Sequence, residues 1–148
     1  MKNPLILKIL ILMSYFATKP MSAQNLDNHK WKHRILIVKT AVDHSERFAD
    51  QLLEFKDSNK ELRERKLVLY AIRQDEFSFT DYTNNMENYT GKLLEKGIKP
   101  MLNANEAFEI ILIGLDGGIK LRKNDIVSQE ELFSTIDAMP MRRNEMRN

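Results

Sequence analysis

Two of the three histidines in this 148-residue chain, His29 and His33, stand four apart. On a helix that spacing turns both imidazoles to one side, where they can share a zinc ion. The residues between them, Lys30-Trp31-Lys32, include two cations, and the glutamate of a zinc-protease motif is missing. The segment therefore reads as a surface approach to the first strand, with Trp31 as a packing anchor. The third histidine, His44, lies between Asp43 and Ser45. A serine beside a histidine suggests a nucleophile and its base, but adjacent side chains at a helix start diverge, and no third group is in place to orient the imidazole. A capping loop is the simpler reading.

Softer and harder ligands are thin as well. Met139, Met141 and Met146 are thioethers that can hold Cu(I). Methionines after an amphipathic helix more often pack back on the domain. Lys120, Arg122 and Lys123, with Arg142, Arg143 and Arg147, form a possible basic patch for phosphate, a polyanionic glycan or an acidic protein surface. The plainer alternative is a solvated edge strand and tail. There is no cysteine, hence no disulfide, no thiolate nucleophile and no thiolate metal site. No catalytic, cofactor or metal set is assigned. Four residues, Lys120, Arg122, Arg142 and Arg143, are kept as anion or partner contacts.

The first 23 residues are set apart from the rest. Lys2 and Lys8 give a basic start, Ile9 to Ala17 form an uncharged run, and Ser22-Ala23 are small residues before Gln24. That is the layout of a secretory signal, and the run is too short to span a bilayer. Lys8, Lys19 and Met21 fit it less well, so an uncleaved anchor or an amphipathic start stays open. The segment holds three lysines and no acid, leaving 20 basic against 21 acidic residues in 24–148. A general nucleic-acid binder needs a basic surplus, so that partner is disfavoured. The expected location is the periplasm or the cell exterior.

The elements that would position these residues follow from periodicity. Arg34 to Val38 and Leu67 to Ile72 are uninterrupted apolar runs suited to strands covered on both faces. Between them Asp43 and Glu46 make a capping pair, followed by Phe48, Ala49, Leu52, Leu53 and Phe55 at helical spacing. A strand, a helix and a buried strand imply a parallel crossover. Asn84 and Glu87 cap a second expected helix with Met86, Tyr89 and Leu93 on one face and Gly97 at its end. Phe77, Phe79 and Tyr82 precede it, as core cover or as an exposed contact surface. Ile110 to Ile113 is a third buried strand, Asp116-Gly117-Gly118 a hairpin turn, and Ile119 to Arg122 an edge strand alternating apolar and charged. Ser128 to Glu131 is a capping box for the last helix, with Val127 and Leu132 as its staple, and Pro140 stops or bends it. Asn88-Tyr89-Thr90 is a glycosylation sequon, meaningful only in a eukaryotic secretory host.

The order β-α-β-α-β-β-α predicts one α/β domain over 24–148, a four-stranded mixed sheet with helices on both faces. That order resembles the thioredoxin fold. Three strings carry a narrower resemblance: Trp31-Lys-His-Arg34, Leu112 to Arg122 (LIGLDGGIKLR) and Ile136 to Met146 (IDAMPMRRNEM). Together they are similar to bacterial exported proteins of unknown function that share the thioredoxin-like DUDES domain with animal sushi-repeat-containing extracellular proteins. The resemblance implies a fold and an extracytoplasmic setting, and no reaction. In such a fold the redox motif sits between the first strand and first helix, here Thr40 to Ser45, where no thiol stands. Thiol–disulfide exchange needs a thiolate, so this chain cannot perform it. The expected function is a non-catalytic, exported binding module whose partner is an envelope protein or an anionic polymer. A cysteine-free enzyme built on Asp43 or Asp116 is the alternative, with Met-based Cu(I) binding a third reading.

Overall fold

The computed structural model describes residues 25–93 and 95–148; the expected leader over 1–23 lies outside the described residues. The two most apolar runs become the middle of a single sheet. β1 (Arg34–Thr40) and β5 (Phe108–Ile113) are buried at every position, as a strand covered on both faces must be. β2 (Leu67–Arg73) runs parallel to β1, with Arg34 opposite Leu67, and β5 runs antiparallel on the other side, with Ile37 opposite Ile111. β6 (Ile119–Lys123) pairs with β5 and forms one edge. β3 (Glu76–Asp81) and β4 (Glu87–Lys92) extend the far side, giving the order β4-β3-β2-β1-β5-β6.

The molecule is thus mixed α/β, but the sheet has six strands where four were expected. The second expected helix, from Asn84, is the β3–β4 hairpin. Asn85 and Met86 both have left-handed backbone (φ 50 and 57), which breaks a helix and turns the chain. Phe77 and Phe79, two apart, obey the strand period of two and bury, and Tyr89 sits opposite Phe79.

Among the described residues, α-helices also cover one face only. α1 (Glu46–Glu54), α2 (Asn59–Glu64) and α3 (Gln129–Asp137) place Phe48, Leu62, Leu132 and Ile136 against Leu36, Val38, Leu69, Ile110 and Leu112. The opposite face carries Ile35, Ile37, Tyr70, Ile72, Ile111 and Ile113 and is roofed by Leu26, Leu93, Ile98, Met101 and Leu102, from segments without long helices. Losing the second helix to the hairpin leaves that face to irregular chain. Lys39 and Glu109, register partners on β1 and β5, fasten this roof: the Lys39 ammonium donates to the carbonyls of Asn103 (2.9 Å) and Glu106, and a Glu109 oxygen accepts from the Asn103 N–H (2.9 Å).

Capping differs from expectation at one end and agrees at the other. Ser45, not Asp43, caps α1, its hydroxyl accepting from the Phe48 N–H at 3.2 Å. Ser128 caps α3 through the Glu131 N–H at 3.1 Å. In α1 the buried stripe includes Gln51, while Leu53 is exposed. The Gln51 amide donates to the Val127 carbonyl (2.8 Å) and accepts from its N–H (2.7 Å), tying α1 to the start of α3. Pro140 ends one helix and opens another, α4 (Pro140–Arg147).

Candidate functional site

The densest polar chemistry lies under the irregular roof, around Tyr70 in the middle of β2. Strand alternation turns Tyr70 away from the helices, into rings of Phe77, Phe79 and Tyr89 supplied by the hairpin. Phe79 and Tyr89 stack with centroids 4.7 Å apart. The roof supplies His29 from the turn after the 3-10 helix Leu26–Asn28. Trp31 holds that turn in a left-handed conformation (φ 66), its N–H donating to the Leu115 carbonyl at 2.7 Å. The chain between His29 and His33 is curled so that the His33 N–H donates to the His29 carbonyl at 2.8 Å.

This local fold strings five side chains into one hydrogen-bonded row. The Tyr70 hydroxyl meets His29 Nε2 at 2.8 Å, His29 Nδ1 meets His33 Nδ1 at 3.1 Å, and His33 Nε2 meets Thr83 Oγ1 at 3.3 Å. Thr83 then donates to an Asp81 carboxylate oxygen at 2.6 Å, and the Thr83 N–H donates to the same oxygen at 2.8 Å. Burial lowers the His33 pKa, partly offset by Asp81, with Lys32 pushing it further down. Burial, then Tyr89 and Asp81, push the Tyr70 hydroxyl far above its ordinary value. Both rings are therefore neutral hydrogen-bonding groups near pH 7, not resident charges.

The histidine pair is thus not the surface approach that its flanking lysines suggested. His29 is 7 % exposed and central to the packing of this face. Its i, i+4 spacing to His33 was the available signal, weighed for metal and set aside without a hydrogen bond being considered. Among the described residues, no cluster of three or more His, Asp or Glu has metal-holding geometry. Trp31 is no packing anchor: it is 62 % exposed. Phe77, Phe79 and Tyr82 are all buried, as core cover.

The expected basic residues stand on separate elements, most beside their own carboxylates. Lys120 reaches Asp116 at 2.7 Å and Arg122 pairs with buried Glu109. Lys123 meets Glu131 at 2.6 Å. Arg142, on α4, bonds Asp137 at 3.1 Å and the Glu64 carbonyl at 2.9 Å, while Arg143 and Arg147 are exposed. A cation absent from the expected set is the most buried of all. Arg34 is 0 % exposed and ties α4, through Glu145 at 3.2 Å, to the end of α2, through the Arg65 carbonyl at 2.9 Å. Met139 packs on the core, whereas Met141 and Met146 are exposed.

At the junction where a redox motif was sought, Thr40 accepts from the Val42 N–H at 3.1 Å and Ser45 is used as a cap, leaving His44 exposed. Beside it opens a groove of about 470 Å³ between α1 and the hairpin. Phe48, Leu52 and Ala71 form its floor, and Arg73, Ser78, Thr90 and Lys92 are among its rim. Arg73 is the register partner of Thr40, so groove and junction share one end of the sheet, and Asp43 does not line the groove.

No curated protein matches the chain. The sequence pattern of a domain of unknown function, DUF4174, matches residues 25–145, which takes in all six strands, the groove and the whole histidine–tyrosine row. The chain belongs to the DUF4174 family.

Proposed function

We propose that this domain is a cysteine-free relative of thioredoxin that works outside the cytoplasm as a binding module, taking an extended segment of another exported protein. The observation that carries the reading is the groove beside the Thr40–Ser45 junction. The four-strand order β6-β5-β1-β2, with β1 and β2 parallel and the other two antiparallel, supports the kinship. In that kinship the hairpin β3–β4 replaces the second helix. A thioredoxin holds its polypeptide substrate at this end of the sheet; here the thiols are missing and a concave surface remains. The rim pairs Ser78 with Thr90 and Glu76 with Lys92, polar side chains above an apolar floor. That mixture suits a polypeptide, whose backbone needs hydrogen bonds and whose side chains need apolar contact. β4 is the sheet edge and offers strand addition as well.

The reading is tested with residues 24–148 screened against an array of immobilised unstructured peptides, with dextran sulfate as the polyanion. Peptide capture weakened at least about tenfold by Ser78→Trp, but unchanged by Arg143→Ala, is the expected result. Dextran sulfate binding that depends on Lys120 and Arg143, with no peptide captured, would replace it with the polymer reading. Reduction, peroxidase or hydrolase turnover lost in Asp43→Ala would overturn the non-catalytic reading altogether.

A further inference from the structure

A second cavity, of about 260 Å³, opens where the start of α4 meets β6 and the turn between β5 and β6. Arg34 and Leu115 are among its buried members, while Asp116, Lys120 and Met141 are exposed at its rim. Leu115, Met139 and Met141 make much of its wall apolar. The cavity stands at the opposite end of β1 from the groove, since Arg34 opens that strand and Thr40 closes it. What it binds is therefore a separate question from what the groove binds.

Three features of this cavity ask for an anion. The Arg34 guanidinium is buried but not fully used: Nη1 and Nη2 grip the two Glu145 oxygens at 3.2 and 3.4 Å, and Nη1 also reaches the Arg65 carbonyl. That end-on grip leaves Nε, which is buried without a hydrogen-bond partner and bears a desolvation cost that an acceptor oxygen removes. Arg65 Nε is unpartnered too, but Arg65 does not line this cavity, and its guanidinium lies on the Phe133 ring, 4.1 Å from the centroid. The second feature is the start of α4. Met139 caps it with no side-chain hydrogen bond, Pro140 has no N–H, and the N–H groups of Met141 and Arg142 have no carbonyl of their own helix to reach. The third is charge. Arg34, Lys66 and Arg142 share Glu145, and Arg65 and Arg142 share Asp137, so four cations stand on two carboxylates.

We propose that this cavity binds a small monocarboxylate with a short hydrocarbon body, of the size of hexanoate. Its carboxylate accepts from Arg34 Nε and from the first N–H groups of α4, and its chain lies against Leu115, Met139 and Met141. A two-oxygen anion suits a guanidinium edge and a helix start. The apolar wall contributes to a ligand with a hydrocarbon chain and cannot solvate one that is polar all round. Asp116 at the rim, paired with Lys120 at 2.7 Å, repels a second negative charge and so favours a monoanion over a phosphate dianion. The volume lies just under the usual range of small-molecule sites, which fits a ligand of a few carbons and not a length of polypeptide.

The test titrates the full chain with hexanoate, hexan-1-ol and inorganic phosphate, read by NMR of the backbone amides and the arginine Nε–H groups. Hexanoate should saturate one site and move the Arg34 Nε–H and the Met141 and Arg142 amides. Hexan-1-ol and phosphate should each bind at least about tenfold more weakly, the first lacking the charge and the second the chain. Equal affinity for either, or shifts confined to Ser78 and Thr90 in the groove, would overturn the proposal. Met141→Glu sets a carboxylate at the mouth, on an exposed residue in the first turn of a helix, where a negative charge does not harm the fold. It should weaken hexanoate by at least about tenfold, whereas Met141→Leu should leave it unchanged. Undiminished binding by a folded Met141→Glu protein would sink the idea. A leucine-ending peptide that binds more tightly than hexanoate, and loses this on amidation of its end, would hand the site to chain termini instead.

Discussion

Gln51 and Arg34 show how much of this molecule hangs on single buried polar residues. Gln51→Leu keeps the shape of α1 but strands the buried N–H and C=O of Val127. A loss of roughly 3 kcal/mol in urea unfolding is expected, because each orphaned group bears its own desolvation cost. Arg34 and Glu145 make a pH-dependent clamp. Burial alone would raise the Glu145 carboxyl; hydrogen bonds and charge from Arg34, then Lys66, outweigh it and hold it below its usual range. A depressed folded-state pKa contributes stability that is present above the unfolded value and lost as pH falls through the folded one. Wild-type protein should therefore weaken from roughly pH 4 downward. Glu145→Gln should lose about 3 kcal/mol at neutral pH and show a shallower acid slope, read by urea melts across the range. Neither residue was legible in the sequence. A glutamine on an apolar stripe and an arginine heading an apolar strand look like exceptions until the partner, from 76 and 111 residues away, is in place.

Among the elements, β1, β2 and β5 were legible because both-face burial writes an unbroken apolar run. The Ser128 cap was legible because its bonds are local. The second helix failed because Met86, Tyr89 and Leu93 satisfy helical spacing while the stronger signal, Phe77 and Phe79 two apart, lay just upstream. The left-handed backbone at Asn85 and Met86, which decides the matter, has no marker beyond a turn-prone asparagine. The hairpin carries its own test at Gly91. A Cβ there would stand 3.0 Å from the Phe77 ring, so Gly91→Ala must displace a buried aromatic. Strand propensity alone favours alanine over glycine; the expected outcome is instead a loss of about 1–2 kcal/mol by thermal unfolding. A stabilised Gly91→Ala would mean that the ring is not seated as described.

On the scale of the whole molecule, one sheet separates two unlike halves. The helical half is held by apolar contact together with the buried Gln51–Val127 bonds. The other is a roof of irregular chain fastened by Lys39 and Glu109, so it should open first. Lys39→Met should speed amide hydrogen exchange at residues 99–106 by at least about tenfold while leaving β1 and β5 protected, since it removes tethers from a segment of low local stability. The candidate site was half legible: the histidine spacing was visible, but Tyr70 and Asp81 come from strands, and Thr83 from the turn after one, whose placement only the fold supplies. Trp31, the only tryptophan in the chain, is held by its left-handed turn between the two histidines and out in solvent. Standing in solvent two residues from each histidine, its indole is an intrinsic reporter of this turn, and its emission should shift when the turn is displaced, readable in dilute solution without any label.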